Sequence, residues 1–88
     1  MAYKIVPTAR FEKDLTKIGR ANATHVVRWV AENLEGTDNP RLRGKRLKHD
    51  LKQYWRYRIG DYRLLVEIID DELILELITI AHRREVYR

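Results

Sequence analysis

Arginine and tyrosine alternate through Tyr54-Trp-Arg-Tyr-Arg-Ile-Gly-Asp-Tyr-Arg63, and a second cluster, His82-Arg-Arg-Glu-Val-Tyr-Arg88, closes the sequence. Strand spacing sends successive side chains to opposite faces of a sheet. Arg56 and Arg58 then share one face, while Trp55, Tyr57 and Ile59 share the other. Guanidinium groups grip phosphate oxygens in pairs, and phenol rings stack on bases, so RNA is the first substrate to consider. RNA can be cut without a metal when its own 2′-hydroxyl attacks the adjacent phosphate. An enzyme for that step must remove the hydroxyl proton, neutralise the pentavalent phosphorane and protonate the 5′-oxygen leaving group. Arg56, Arg58, Arg63 and Arg83 are the candidates for neutralisation, each worth about 3–4 kcal/mol by analogy with an oxyanion-hole donor. Tyr87 is a candidate for stacking on a base or donating to a phosphate oxygen. His82 is the one member of the terminal cluster whose ordinary pKa lies near neutrality.

Plainer roles compete with these. A strand arginine is usually solvated or ion-paired, and Arg63 has Glu67 available on its own face. His82 follows an apolar run and has opposite parity to Arg83, so a structural role stands beside a catalytic one. His25 falls in a helical segment and reads as structural or exposed. His49-Asp50 reads as an acid/base pair or as part of a solvated loop. Asp70-Asp71-Glu72 reads as turn chemistry. No metal-ligand spacing, glycine-rich phosphate loop or Ser/His/Asp arrangement is present, so neither cofactor nor metal is expected.

Charge distribution narrows the partner. The 88 residues carry a net +5, but residues 41–63 hold nine Lys/Arg against two acids, whereas residues 64–82 hold five acids and no Lys/Arg. Such polarity directs an anionic partner to one region. Arg41, Arg43, Lys45, Arg46, Lys48 and Lys52 are the expected contacts to nucleic acid. The absence of cysteine rules out disulfides and thiolate metal sites and fits a reducing cytoplasm. The opening Met-Ala-Tyr-Lys-Ile-Val-Pro does not read as a signal peptide, and no apolar run approaches the roughly 18 residues of a membrane span. A chain of this length forms one small domain, 1–88, with a modest core.

The elements that position these residues follow from periodicity. Tyr3–Val6 reads as a strand ended by Pro7. Thr8 is a plausible N-cap for a helix with Phe11, Leu15 and Ile18 on one stripe, and Gly19 stands where a C′ glycine belongs. The next helix puts Ala23, Val26, Val27, Val30, Ala31 and Leu34 on its apolar face, with Trp29 at the border. Residues 37–53 show neither period and are expected to carry basic surface, with one short strand around Lys45–Lys48. Strands at Tyr54–Ile59, Tyr62–Ile69 and Leu73–Arg83 follow, joined by short turns that force antiparallel neighbours. The result is an α+β fold of order βααβββ, a helical hairpin on one face of a small, mainly antiparallel sheet. Parity places Tyr62, Leu64, Val66 and Ile68 under the helices with Trp55, Tyr57 and Ile59. It places Arg56, Arg58, Arg63, Leu65 and Glu67 on the open face. In the last strand it groups Leu75, Leu77, Thr79 and Ala81 with Arg83, and Ile74, Ile78 and Ile80 with His82, so Leu65 and Leu77 join the arginines on the open face.

Two segments carry a resemblance. Leu51-Lys-Gln-Tyr-Trp-Arg-Tyr-Arg-Ile-Gly-Asp-Tyr-Arg-Leu-Leu65 resembles the Trp-Arg-x-Arg-x-Gly-Asp-Tyr-Arg signature of RelE-type toxins of the RelE/ParE superfamily. Ala81-His-Arg-Arg-Glu-Val-Tyr87 resembles their closing Gly-His-Arg-Arg-(Asp/Glu)-Val-Tyr. The resemblance covers essentially the whole chain and implies the toxic half of a type II toxin–antitoxin pair. It implies a ribosome-dependent, metal-independent endoribonuclease that cuts mRNA in the A site and stops translation. It also implies an acidic RelB-like antitoxin held in a hetero-oligomer. Position by position, Arg56 and Arg58 match the family's paired basic residues and Arg63 its phosphate-binding arginine. Arg83 matches the arginine near the leaving group, and Tyr87 the terminal tyrosine. The best-described members carry lysines at the positions of Arg56 and Arg58, one of them assigned as general base. An arginine is essentially never deprotonated. Either His82 or Tyr87 then takes the proton, or the arginines act electrostatically while ribosomal RNA arranges the attack. Two other functions stand as alternatives: a ParE-like inhibitor of DNA gyrase, and a non-catalytic RNA- or DNA-binding module.

Overall fold

The sheet is built outward from two adjacent apolar strands. In the computed structural model, which describes residues 2–85, the strands are β1 (Lys4–Pro7), β2 (Gly44–Arg46), β3 (Tyr54–Ile59), β4 (Tyr62–Ile69) and β5 (Ile74–His82). Helices α1 (Ala9–Lys17) and α2 (Arg20–Asn33) lie between β1 and β2. The spatial order is β1-β5-β4-β3-β2, with β1 parallel to β5 and every other pair antiparallel. Gly60 closes the β3–β4 turn at φ +57, a conformation glycine adopts without penalty. The strand around 45–48 that the sequence predicts is β2, an edge strand of three residues; it makes the strand count five.

Thr8 caps α1 as its position implies: its Oγ1 accepts from the Phe11 amide at 3.1 Å and donates to the Leu77 carbonyl at 2.7 Å. One hydroxyl thus starts the helix and fastens it to β5. Along α2 the buried stripe is narrower than periodicity predicts. Val26, Val30 and Leu34 are buried and Trp29 packs at the border, but Val27 is 51% exposed. Four-residue spacing of the buried set leaves room on the sheet for only one row.

The core joins Phe11 and the α2 stripe to Tyr57, Ile59, Leu64, Val66, Leu75, Leu77 and Ile80. Residues of β3 and β4 alternate as expected. In β5 they do not, because a bulge interrupts the ladder: Leu65 pairs with Thr79 but Val66 pairs with Leu77, leaving Ile78 as an extra residue. Strict parity therefore misplaces the strand. Leu75 and Leu77 lie under the helices, and after the bulge so do Ile80 and His82, opposite Leu64 and Tyr62. Leu77, expected on the open face, is only 2% exposed and belongs to the core.

Candidate nucleic-acid interface

The open face collects its cations by register. Arg58 lies directly opposite Arg63, and Lys45 of the edge strand directly opposite Arg56. Like charges facing each other across strands are destabilising, so sheet packing alone does not account for them. Arg43, Gly44, Lys45, Arg56 and Arg58 line a cleft of about 330 Å³. The residues expected to bind nucleic acid thereby share a surface with those expected to perform chemistry.

Arg63 stands at the centre of this charge. Partial loss of water lowers its pKa from the ordinary arginine value, and Arg58, Arg56 and Arg83 lower it further. Its Nη1 donates to the carbonyls of Gly60 at 3.1 Å and Tyr62 at 3.0 Å, which pins the head against the β3–β4 turn. Glu67, four residues along the same strand, is about 13 Å away. Arg83 follows β5, and its amide donates to the Asp61 carbonyl at 2.8 Å. That bond brings the chain beyond β5 to the turn that carries Arg63. Arg58, Arg56 and Arg83 thus all lie near enough to act on Arg63.

His82 is placed elsewhere. It pairs with Tyr62, its ring meets the Tyr62 ring edge-on at 5.7 Å, and its Nδ1 accepts from the Arg84 amide at 3.3 Å. It lines a separate cleft with Arg10, Asp14, Tyr62, Thr79 and Glu85, where Thr79 donates to the Asp14 carboxylate. Arg63 pairs with Ala81, so one step of the strand puts His82 and Arg63 on opposite faces. Tyr87 lies outside the described residues.

The basic segment divides into two groups. Arg43, Lys45, Arg46, Lys48 and Lys52 are exposed, and Arg46 Nε donates to the Lys52 carbonyl at 3.0 Å. Arg41 is turned back instead. Its Nη1 and Nη2 reach the Asp70 oxygens at 3.2 and 2.9 Å, and its guanidinium carbon lies 5.4 Å from the centre of the Trp55 ring. The Tyr3 hydroxyl donates to the same Asp70 at 2.7 Å. Arg41 and Tyr3 hold the Asp70 carboxyl below its ordinary pKa. Behind the segment, the buried Tyr57 hydroxyl donates to the Pro40 carbonyl, and a Cβ on Gly44 would come within 2.8 Å of the Tyr57 ring. Sequence reasoning misses Tyr3, Asp70 and the Tyr57–Gly44 contact. The partners are 29, 67 and 13 positions apart, so no local pattern links them.

Three comparisons bear on this arrangement. A family model described as the ParE toxin of the type II toxin–antitoxin system parDE matches residues 5–87. Toxin RelE of Mycobacterium tuberculosis is 35% identical over 86 residues, which cover 98% of this chain and 87% of the relative. Toxin RelG of the same organism is 30% identical over 88 residues, covering 100% and 99%. Among solved structures, the M. tuberculosis toxin–antitoxin complex RelBE2 gives a TM-score of 0.85 at 28% identity, covering 94% of this chain and 100% of that one. A mutant of E. coli toxin RelE in the free state gives 0.75 at 20% identity, covering 98% and 88%, a likeness of fold.

Proposed function

The chain belongs to the family of ParE toxins of type II toxin–antitoxin systems, and from that premise we propose that it is a RelE-type mRNA interferase. In this reading it cuts mRNA in the ribosomal A site without a metal and so inhibits translation. The convergence of Arg56, Arg58, Arg63 and Arg83 around one open face is the observation that carries it. The 2′-oxygen attacks phosphorus, the bond to the 5′-oxygen breaks, and a 2′,3′-cyclic phosphate and a free 5′-hydroxyl result. Arg63, held at the turn, meets the non-bridging oxygens, and Arg58 opposite it shares the developing charge. Arg83, tethered through Asp61, stands towards the leaving oxygen. A dense cationic face favours the more negative transition state over the ground state, which is the differential binding catalysis requires. Proton transfer falls to Tyr87 or to groups arranged by ribosomal RNA, because His82 occupies the other face.

The exposed Arg43, Lys45, Arg46, Lys48 and Lys52 serve as the ribosome-binding surface. The partner is a cognate acidic antitoxin; the RelBE2 relative was solved as a toxin–antitoxin complex. Among the described residues, no helix is long and apolar enough to cross a membrane. The family model itself favours a second reading, inhibition of DNA gyrase, since it is described by the ParE toxin. Two assays separate the readings: mapping of mRNA 5′ ends on programmed ribosomes, and gyrase supercoiling. Codon-dependent cuts with normal supercoiling are expected. Intact mRNA with lost supercoiling activity would overturn the interferase reading.

A further inference from the structure

The segment between α2 and β3 carries the cations nearest the cleft, and those cations repel one another. Arg43 and Lys45 face Arg56 and Arg58, so a loosely held segment would swing away from the sheet to relieve the repulsion. It is fastened at one end by a network that uses almost no local sequence. The Tyr3 amide donates to the Thr37 carbonyl and the Gly36 amide to the Tyr3 carbonyl, both at 3.0 Å. Asp70 then takes the Tyr3 hydroxyl and both terminal nitrogens of Arg41, while Trp55 covers the guanidinium face. The donors of Arg41 are thus directed at a carboxylate and its flat face at an indole. The side chains of Arg41 and Asp70 are 40% and 52% exposed. A pair so exposed adds little to global stability. What it changes is local: where the chain leaves Arg41, two residues before Arg43.

We propose that Asp70 and Arg41 are positioning residues, a clamp that holds Arg43 and Lys45 against Arg56 and Arg58 to complete the anion cleft. Arg41, by its type a phosphate contact, acts here through Asp70 rather than on RNA. The proposal rests on the reading of the cleft as an RNA site, and it makes a prediction opposite in sign to simple electrostatics. Asp70→Asn raises the net charge from +5 to +6, which by long-range attraction alone tightens binding to a polyanion. Loss of the clamp weakens it, because apparent affinity falls with the fraction of molecules whose cleft is assembled.

The test uses the full chain and a short single-stranded RNA at fixed salt, with amide hydrogen exchange over residues 41–46 in the absence of RNA. For Asp70→Asn we expect Kd to rise about 3–10-fold, the reciprocal of the assembled fraction. We also expect faster exchange over 41–46 and an unchanged melting temperature. Asp70→Glu, which retains the carboxylate, recovers most of the affinity. The double variant Asp70→Asn/Arg41→Gln keeps the wild-type net charge and is no weaker than the worse single variant, since both changes break one contact. On programmed ribosomes Asp70→Asn raises KM and leaves kcat unaltered. Tighter RNA binding by Asp70→Asn, or additive losses in the double variant, would overturn the clamp. So would unchanged exchange over 41–46, whatever the RNA does. A wild-type protein that binds neither this RNA nor programmed ribosomes would instead sink the interferase reading, and faster exchange in Asp70→Asn would still uphold the clamp.

Discussion

In the proposed interferase reading the chemistry is expected to turn on Arg63, whose head is held at the β3–β4 turn among three other arginines. Two carbonyls fix its head, and three other arginines lower its pKa after loss of water does. An arginine crowded by like charge gains more from an anion than a solvated one does. Arg63→Ala is therefore expected to lower kcat on programmed ribosomes by about 10²–10³-fold, the loss typical of one transition-state donor. Its melting temperature should hold or rise, since a repulsive cross-strand pair is relieved. Wild-type cleavage by the folded variant would remove Arg63 from the mechanism. His82 gives the contrasting case. It sits edge-on to Tyr62 on the helix side of β5, so His82→Gln is expected to leave the pH–rate profile between about pH 5 and 8 unchanged. Any cost should appear in thermal stability. A profile that loses its inflection in that variant would return His82 to proton transfer.

Among elements, short β2 sets how the basic segment meets the sheet, through its ladder with β3 and one close contact at Gly44. Gly44 pairs with Tyr57, and its missing side chain is what allows the tyrosine ring to lie beneath it. Gly44→Ala is expected to cost about 1–3 kcal/mol by overpacking and to loosen Arg43 and Lys45 from the cleft, read as a lower melting temperature and weaker RNA binding. Tyr57 adds a pH signature. Burial pushes its pKa from 10.0 up to about 12. The folded state thus favours the neutral phenol: its contribution is full below pH 10.0 and is lost as pH rises towards 12. Thermal melts from pH 9 to 12 should fall more steeply for the wild type than for Tyr57→Phe; parallel curves would contradict this. These elements also show what sequence makes legible. The alternation of β3 and β4, the Thr8 cap and the Gly60 turn are local signals, and each lies where the sequence implies. The β5 bulge, the Gly44–Tyr57 contact and the Arg41–Asp70–Tyr3 network are not, because each depends on a strand or loop distant in sequence. For the site, the alternation brings Arg56, Arg58 and Arg63 to one face. It also groups Leu77 with Arg83, a pairing the bulge breaks.

At the scale of the whole molecule, the sheet's open face is charged in two halves. The end near the β3–β4 turn carries Arg58 opposite Arg63, and the far end carries Glu67 opposite Glu76. Between them, Leu65 is partly exposed. Polyanion binding is therefore expected at one end, and affinity for ribosomes should fall steeply with salt, with a slope set by the phosphates engaged. Reversing Arg43, Lys45, Arg46 and Lys48 to Glu should flatten that slope and raise KM; salt-independent association would contradict it. The same face constrains the silencing partner. An antitoxin segment that covers the site must bring acids to Arg56 and Arg63 and an apolar stripe to Leu65, and it must shed the water around those charges. Such a segment is expected to be disordered when free and to order on the toxin. Changing Arg56 and Arg63 together to Glu should weaken the toxin–antitoxin complex by about 2–5 kcal/mol, the range for a desolvated charge that loses its partner. The check is co-purification from the native operon followed by a competition measurement of affinity. If the double variant binds its antitoxin as tightly as the wild type does, the antitoxin silences the toxin from another surface. Neutralisation would then not work by occupying the arginine face.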